Sequence, residues 1–192
     1  MKLNLGSGAR LKKGFTNVDI LTEEEVRQVC KVKAKYVQAD IHKLPFEDNF
    51  ADYVEMYTVI EHIPFREVVD VLKEIRRVMK NDAKMVIVTD DFDGIARDWQ
   101  SMRLERLRKG SFDLQTYVNV METVYGSQRY GGDEHKSCMT PDFLNWALVQ
   151  AGFKKGNFTI YGKNTPVPKI GTEPARKDKV FRADMLVAEV IK

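Results

Sequence analysis

The chain has 192 residues, 43% of them hydrophobic and 31% charged with both signs represented, which is most simply one core-forming domain. Its formal net charge of +3 is small for this length and does not demand a nucleic-acid partner. It holds no run of 18 apolar residues, so no membrane span is expected; a first strand beginning at Lys2 leaves no room for a signal peptide, and two lone cysteines, Cys30 and Cys138, fit a reducing, cytoplasmic setting.

Lys2-Leu3-Asn4-Leu5 reads as a short buried strand that breaks at once into a glycine turn, Gly6-Ser7-Gly8-Ala9. Glycines at such a turn let the backbone bend sharply and let a ligand approach closely. Phe15-Thr16-Asn17-Val18-Asp19-Ile20 reads as the second strand, ending on an acid. Only eleven positions separate Gly8 from Asp19, so a first helix has room for a turn or two at most. A dinucleotide fingerprint, which needs a full helix there and an acid about 20 residues on, is excluded. Thr22-Glu23-Glu24-Glu25 is a capping box that predicts a helix through Val26, Val29 and Cys30. Tyr36-Val37-Gln38-Ala39 reads as the third strand, with Asp40 at its end, and residues 51–57 as the fourth.

Pro64 opens the clearest helix of the chain, residues 65–80, in which Phe65, Val68, Val69, Leu72, Ile75 and Met79 share one face. Asn81-Asp82 reads as a turn, and Met85-Val86-Ile87-Val88-Thr89 as a short strand covered on both faces. Charged amphipathic stretches at 95–109 and 112–124 and a loop at 125–135 come next. Thr140-Pro141-Asp142 starts a helix that ends at Ala151-Gly152. Residues 153–161 and 182–191 read as the last two strands, joined by a proline-containing loop at 162–181 whose length marks it as a lid or a mobile segment. Strands alternating with helices predict a parallel sheet, and the final strand pair predicts a hairpin-like edge.

Three features fall at the carboxyl ends of successive strands: the glycine turn, Asp19 and Asp40. Ligands of open α/β sheets bind at that edge. A carboxylate beside a glycine turn can accept from both hydroxyls of a ribose, and an acid one strand over can accept from an exocyclic amino group such as that of adenine. The pattern points to a nucleotide-type cofactor. P-loop and zinc motifs are absent, so no metal is expected. The place after the fourth strand holds Met56-Tyr57-Thr58-Val59 rather than the Pro-Pro-aromatic motif of DNA amino-methyltransferases, and neither cysteine follows a proline as a cytosine-C5 nucleophile would.

With these residues the sequence resembles the class I S-adenosylmethionine-dependent methyltransferases of the small "type 11" kind, and a compact subgroup linked to surface-glycan biosynthesis. The resemblance is carried by Leu3-Asn4-Leu5-Gly6-Ser7-Gly8, by Gly14-Phe15-Thr16-Asn17-Val18-Asp19, and by Asp40-Ile41-His42-Lys43-Leu44-Pro45-Phe46. It continues through Ala51-Asp52-Tyr53-Val54 to Ile60-Glu61-His62-Ile63, and through Glu74-Ile75-Arg76-Arg77-Val78-Met79-Lys80. It implies a three-layer Rossmann-like fold: a mostly parallel seven-stranded sheet with an antiparallel last strand and a short or missing first helix. The whole chain would be one domain, with a helical substrate-side insertion at about 91–138 and the loop at 162–181.

The resemblance also implies roles. Asn4, Gly6, Ser7 and Gly8 would lie against the methionine end of the cofactor, with Asn4 able to hydrogen-bond but adding no negative charge near its ammonium. Asp19 would bind the ribose hydroxyls with Ile20 beside it, Asp40 the adenine amino group and the Ile41 N–H an adenine ring nitrogen; Tyr57 would face the cofactor and the open side of the pocket. Departures from the family pattern are Asn4 for an acid, Arg10 for the third glycine, Asn81-Asp82-Ala83 for a Pro-Gly-Gly turn and Thr89 for a proline.

Methyl transfer to an O or N of a small-molecule or glycan-type acceptor is the implied activity. For a hydroxyl acceptor a base helps; His62 and His135 are the candidates, with Asp90, Asp91 and Tyr130 behind them. Arg103, Arg106, Arg108 and Lys109 could attract an acidic acceptor or simply form a solvated helix face. Cover for the cofactor would come from 91–137, from 162–181, or from a second subunit in a homodimer. The rival reading is a non-catalytic cofactor sensor or scaffold that keeps the fold.

Overall fold

The computed structural model describes residues 1–110, 114–129, 131–161 and 185–192. The 162–181 loop, Tyr130, the Phe112 start of the second amphipathic stretch and the Arg182 start of the last strand lie outside the described residues.

Strands β1 (Lys2–Leu5), β2 (Thr16–Asp19), β3 (Lys35–Gln38), β4 (Ala51–Tyr57), β5 (Met79–Asp90), β6 (Phe158–Tyr161) and β7 (Met185–Ile191) form one sheet in the order β3-β2-β1-β4-β5-β7-β6. Pairings from β3 through β5 are parallel. β7 runs antiparallel between β5 and β6. No helix separates β1 from β2, as the short spacing from Gly8 to Asp19 requires.

One face of the sheet carries most of the core. Helix α2 (Val68–Val78) buries Val68, Val71, Leu72, Ile75 and Val78 there, and helix α5 (Pro141–Gln150) adds Leu144, Ala147 and Leu148. They pack over Leu3, Leu5, Val54, Met56, Met85 and Ile87. On the opposite face the 10–15 loop does the work of the missing helix. Phe15 meets Tyr53 edge to face at 6.0 Å, and Lys12 pairs with the buried Glu55 at 2.6 Å. Helix α1 (Glu23–Val29) closes that side with Val26, packed with Leu11 and Cys30. Its Thr22 cap forms the predicted box with Glu25.

Helices α3 (Phe92–Lys109) and α4 (Leu114–Tyr125) follow β5. Asp91 caps α3, accepting from the Asp93 N–H at 3.2 Å, and Gly110 ends it in the left-handed region. No helix among the described residues is long and apolar enough to cross a membrane.

Several boundaries differ from the sequence reading: the sixth strand, expected from Phe153, begins at Phe158, the 65–80 helix ends at Val78, and the 95–109 helix begins at Phe92. The helix expected from Phe65 begins at Val68, because Pro64–Glu67 is spent on a turn in which the Glu67 N–H donates to the Pro64 carbonyl at 2.8 Å. The strand expected from Met85 begins at Met79. Asn81-Asp82, expected as a turn, lies inside β5 at a register shift where Asp82 takes φ 62°, Met79 pairing with Ala51 before it and Lys84 with Tyr53 after it. The extra residues are taken up as a bulge in a continuous strand.

Candidate active site

The carboxyl edge of β1, β2 and β3 brings the glycine turn, Asp19 and Asp40 side by side. Gly6 and Gly8 adopt φ of 63° and 45°, a region an L side chain enters only at a cost. The Ser7 N–H donates to the Val18 carbonyl at 3.0 Å, and the Gly8 N–H donates to Asp19 Oδ2 at 2.7 Å. Asp19 Oδ1 accepts from the Leu21 N–H at 3.1 Å. Each Asp19 oxygen thus keeps lone-pair capacity beyond one backbone bond. A Cβ built on Gly8 would meet nothing within 4 Å, so the turn presents an open backbone face. Ile20, at the end of β2, leaves 68% of its surface in solvent, an apolar platform beside that face.

Asn4 lies behind the turn rather than at its open face. It is buried, and its amide donates to the Arg10 carbonyl at 3.0 Å and to Asn17 Oδ1 at 2.9 Å. Asn17, fully buried, is a hub that sequence reasoning missed. Its Oδ1 also accepts from the Lys12 N–H at 2.8 Å, and its amide donates to the Lys12 and Lys35 carbonyls. An acid at position 4 could not donate to either partner, which accounts for the departure there. Ser7 is buried with the turn. Arg10 lays its guanidinium over the Tyr57 ring at 5.2 Å, a cation–π contact at the methionine end of the expected site.

Asp40 is joined by a residue that sequence reasoning gave no role. The His42 N–H donates to Asp40 Oδ1 at 2.9 Å, and His42 bridges that oxygen and Glu67 Oε2 through its two ring nitrogens at 2.6 and 2.9 Å. The backbone bond first, then the ring contact, hold Asp40 below the usual carboxylate range. Burial opposes charge on His42, but the hydrogen bonds and charges of Asp40 and Glu67 together outweigh it and raise its pKa. Ile41, half-buried, packs against the core between them.

This triad sets a pH dependence. A histidine raised on folding contributes stability that is fully present below its ordinary value of about 6.5 and is lost as pH rises through the raised value. The lowered Asp40 contributes stability that is lost only as pH falls through its own depressed value. We expect His42→Ala to melt lower than wild type near pH 6 by the worth of an exposed pair, at most about 1 kcal/mol, or about 2–4 °C in a chain of this length. The gap should close above the raised pKa. Melting curves at several pH values check this, and a gap that widens with pH would refute the assignment.

At the end of β4 the backbone is strained. Thr58 has φ 53°, an outlier for a β-branched residue, and its N–H donates to the Val88 carbonyl at 2.8 Å. A one-turn 3-10 helix, Ile60–His62, follows. The 134–137 segment docks on it: the N–H groups of Lys136 and Ser137 donate to the Glu61 carbonyl at 2.8 and 3.0 Å. This brings together His62 and His135, far apart in the chain, with ring centroids 4.9 Å apart, edge to face. His62 Nδ1 lies 3.1 Å from the Glu134 carbonyl and His135 Nδ1 lies 2.8 Å from the Thr123 carbonyl. A carbonyl only accepts, so in both rings it is Nδ1 that donates. Burial lowers the pKa of His62 and keeps its ring neutral near pH 7. Glu61, beside it, is 2% exposed, and burial pushes its carboxyl up to about 7. Asp90 is buried nearby, and Asp91 is committed to capping α3.

Residues 7–87 match the family model described as a methyltransferase domain. A chain from Archaeoglobus fulgidus, described as a SAM-dependent methyltransferase, superimposes with a TM-score of 0.60 at 17% identity, covering 100% of this chain and 85% of that one. This chain has the class I methyltransferase fold. A SAM-dependent methyltransferase of Methanosarcina mazei gives 0.58 at 17% identity, over 99% and 90% of the two chains. Human N-acetylserotonin methyltransferase in complex with SAM gives 0.56 at 16%, over 97% of this chain and 46% of that one. An uncharacterized protein of Methanocaldococcus jannaschii is 30% identical over 93 residues, 48% of this chain. The match spans only 40% of that relative's length. The methyltransferase domain and fold support S-adenosylmethionine as the cofactor, and the residues at the sheet edge fit it: an open glycine turn, a carboxylate with spare lone pairs beside it and an exposed apolar platform.

Proposed function

We propose that this chain transfers a methyl group from S-adenosylmethionine to an O or N of a small-molecule or glycan-type acceptor. The observation that carries the reading is the Gly8–Asp19 pairing at an open backbone face, within the stretch that matches a methyltransferase domain. When bound, the cofactor supplies an electrophilic methyl on a sulfonium. The chain's own residues bind, orient and exclude water. Asp19 accepts from the ribose hydroxyls, and Ile20 offers an apolar surface to the base. Asp40 accepts from the adenine amino group, and the Ile41 N–H donates to a ring nitrogen. Gly6, Ser7 and Gly8 leave room for the methionine end, with Arg10 and Tyr57 at its rim; Asn4 holds the turn's shape from behind.

On the acceptor side, His62 and His135 stand together, imidazoles of the kind that take an acceptor's proton or bind an ion. The 91–138 insertion covers that side, and the exposed Arg103 and Arg108 of α3 favour an acidic acceptor. The chain works in the cytoplasm, alone or as a homodimer.

Calorimetric titration with S-adenosylmethionine and S-adenosylhomocysteine, followed by a turnover screen over hydroxyl and amine acceptors, tests the reading. Binding near micromolar, about −8 kcal/mol, together with S-adenosylhomocysteine release on an acceptor is expected. Binding without turnover on any acceptor would instead mark a cofactor sensor. No binding by folded protein would mark a scaffold.

A further inference from the structure

Glu61 is the third member of the cluster at the end of β4. One ligand atom from each of Glu61, His62 and His135 lies within 4.8 Å of the others. Glu61 Oε2 accepts from the Thr89 hydroxyl at 2.9 Å. Its Oε1 is buried and has no hydrogen-bond partner among the described residues. A buried carboxylate oxygen left bare is costly, and a cation offsets that cost. In both imidazoles one ring nitrogen donates to a backbone carbonyl, the contact that metal-ligating histidines commonly make through their second nitrogen.

We propose that Glu61, His62 and His135 bind one divalent transition-metal ion. Two imidazole nitrogens and one carboxylate oxygen are the donor set of open zinc and non-haem iron sites, and three protein ligands leave a coordination position for an exogenous oxygen. Magnesium and calcium, which seek all-oxygen shells, fit poorly. Val59, two residues before Glu61, packs against Gly6 of the glycine turn, so the ion stands on the acceptor side of the proposed cofactor site. Resting on the methyltransferase reading, the ion selects an oxygen acceptor. It binds that oxygen and lowers its pKa, so that the hydroxyl proton is released to water before transfer. The ligand set escapes a motif search because His135 comes from a distant loop.

The test uses the full chain, stripped with a chelator and titrated with Co²⁺ while the visible absorption of the bound ion is followed. One Co²⁺ per chain should bind with micromolar or tighter affinity and be displaced by Zn²⁺. Glu61→Gln keeps an acceptor for Thr89, and His62→Asn and His135→Asn keep an amide donor near the place of Nδ1, so all three preserve the local hydrogen bonds. Each should weaken Co²⁺ binding by at least about 100-fold, beyond what loss of an outer-shell partner alone commonly costs. Wild-type protein with an intact melting transition and no Co²⁺ spectrum would overturn the proposal. So would binding that survives in the variants, which would belong to His42 or Cys138 instead. S-adenosylhomocysteine titration of the same samples reads the cofactor site separately: Co²⁺ bound with no S-adenosylhomocysteine affinity would leave the ion site standing and remove the methyltransferase reading.

Discussion

Asp19→Ala should abolish measurable S-adenosylhomocysteine binding, a loss of at least about 100-fold, or about 2.8 kcal/mol. Two effects combine. The substitution removes the carboxylate proposed to accept from the ribose diol, where charge-assisted bonds are the strong ones. It also removes the acceptor of the Gly8 N–H, leaving the open turn without the bond that fixes its second glycine. Asp19→Asn separates the two, because its side-chain oxygen can still accept from Gly8 while the charge is gone. It should therefore retain part of the affinity. Calorimetry reads the affinities, and circular dichroism verifies that the sheet is intact. Unchanged binding in Asp19→Ala, with the fold preserved, would remove the cofactor from this edge of the sheet.

That edge could be read from the sequence because its determinants are local. Leu3 and Leu5 before Gly6 define a strand and its break. The short spacing to Asp19 forbids a full helix, and Thr22 with Glu25 caps helix α1. Such signals act over a few residues, and their alternation predicts a parallel sheet; the strand order itself is set by pairings between distant segments. Partner-dependent features were not legible. Asn17 reads as an ordinary strand residue until Asn4, Lys12 and Lys35 converge on it. His42 acquires meaning only when the turn before α2 places Glu67 against it. Asn81-Asp82 shows that local chemistry can mislead: two good turn formers sit at a bulge, and pairing of Met79 with Ala51 carries the strand through them. The His62–His135 approach depends on a loop docking on the Glu61 carbonyl, a contact no periodicity encodes.

Gly6→Ala carries the largest expected loss of stability, and its cause can be divided. The backbone at φ 63° costs an L residue about 1–2 kcal/mol. The new methyl would also stand 2.3 Å from Val59 Cγ2 and 2.7 Å from Cγ1, an overpacking that typically costs about 1–3 kcal/mol. Together they should destabilise the chain by about 2–5 kcal/mol, read as a lowered denaturation midpoint with an unchanged slope. Val59→Ala removes the clash but not the strain. In the double variant the two costs should therefore fall short of additivity by about 1–3 kcal/mol, leaving mainly the backbone component. Strict additivity would mean that the turn relaxes away from Val59 and that Gly6 is required by its dihedral alone. The distinction matters for function, because Val59 leads directly into the turn that carries Glu61 and His62. If Gly6 and Val59 couple, the cofactor turn and the acceptor-side cluster move as one packed unit. Gly6→Ala should then weaken Co²⁺ binding as well as S-adenosylhomocysteine binding, and restoring space at Val59 should recover both.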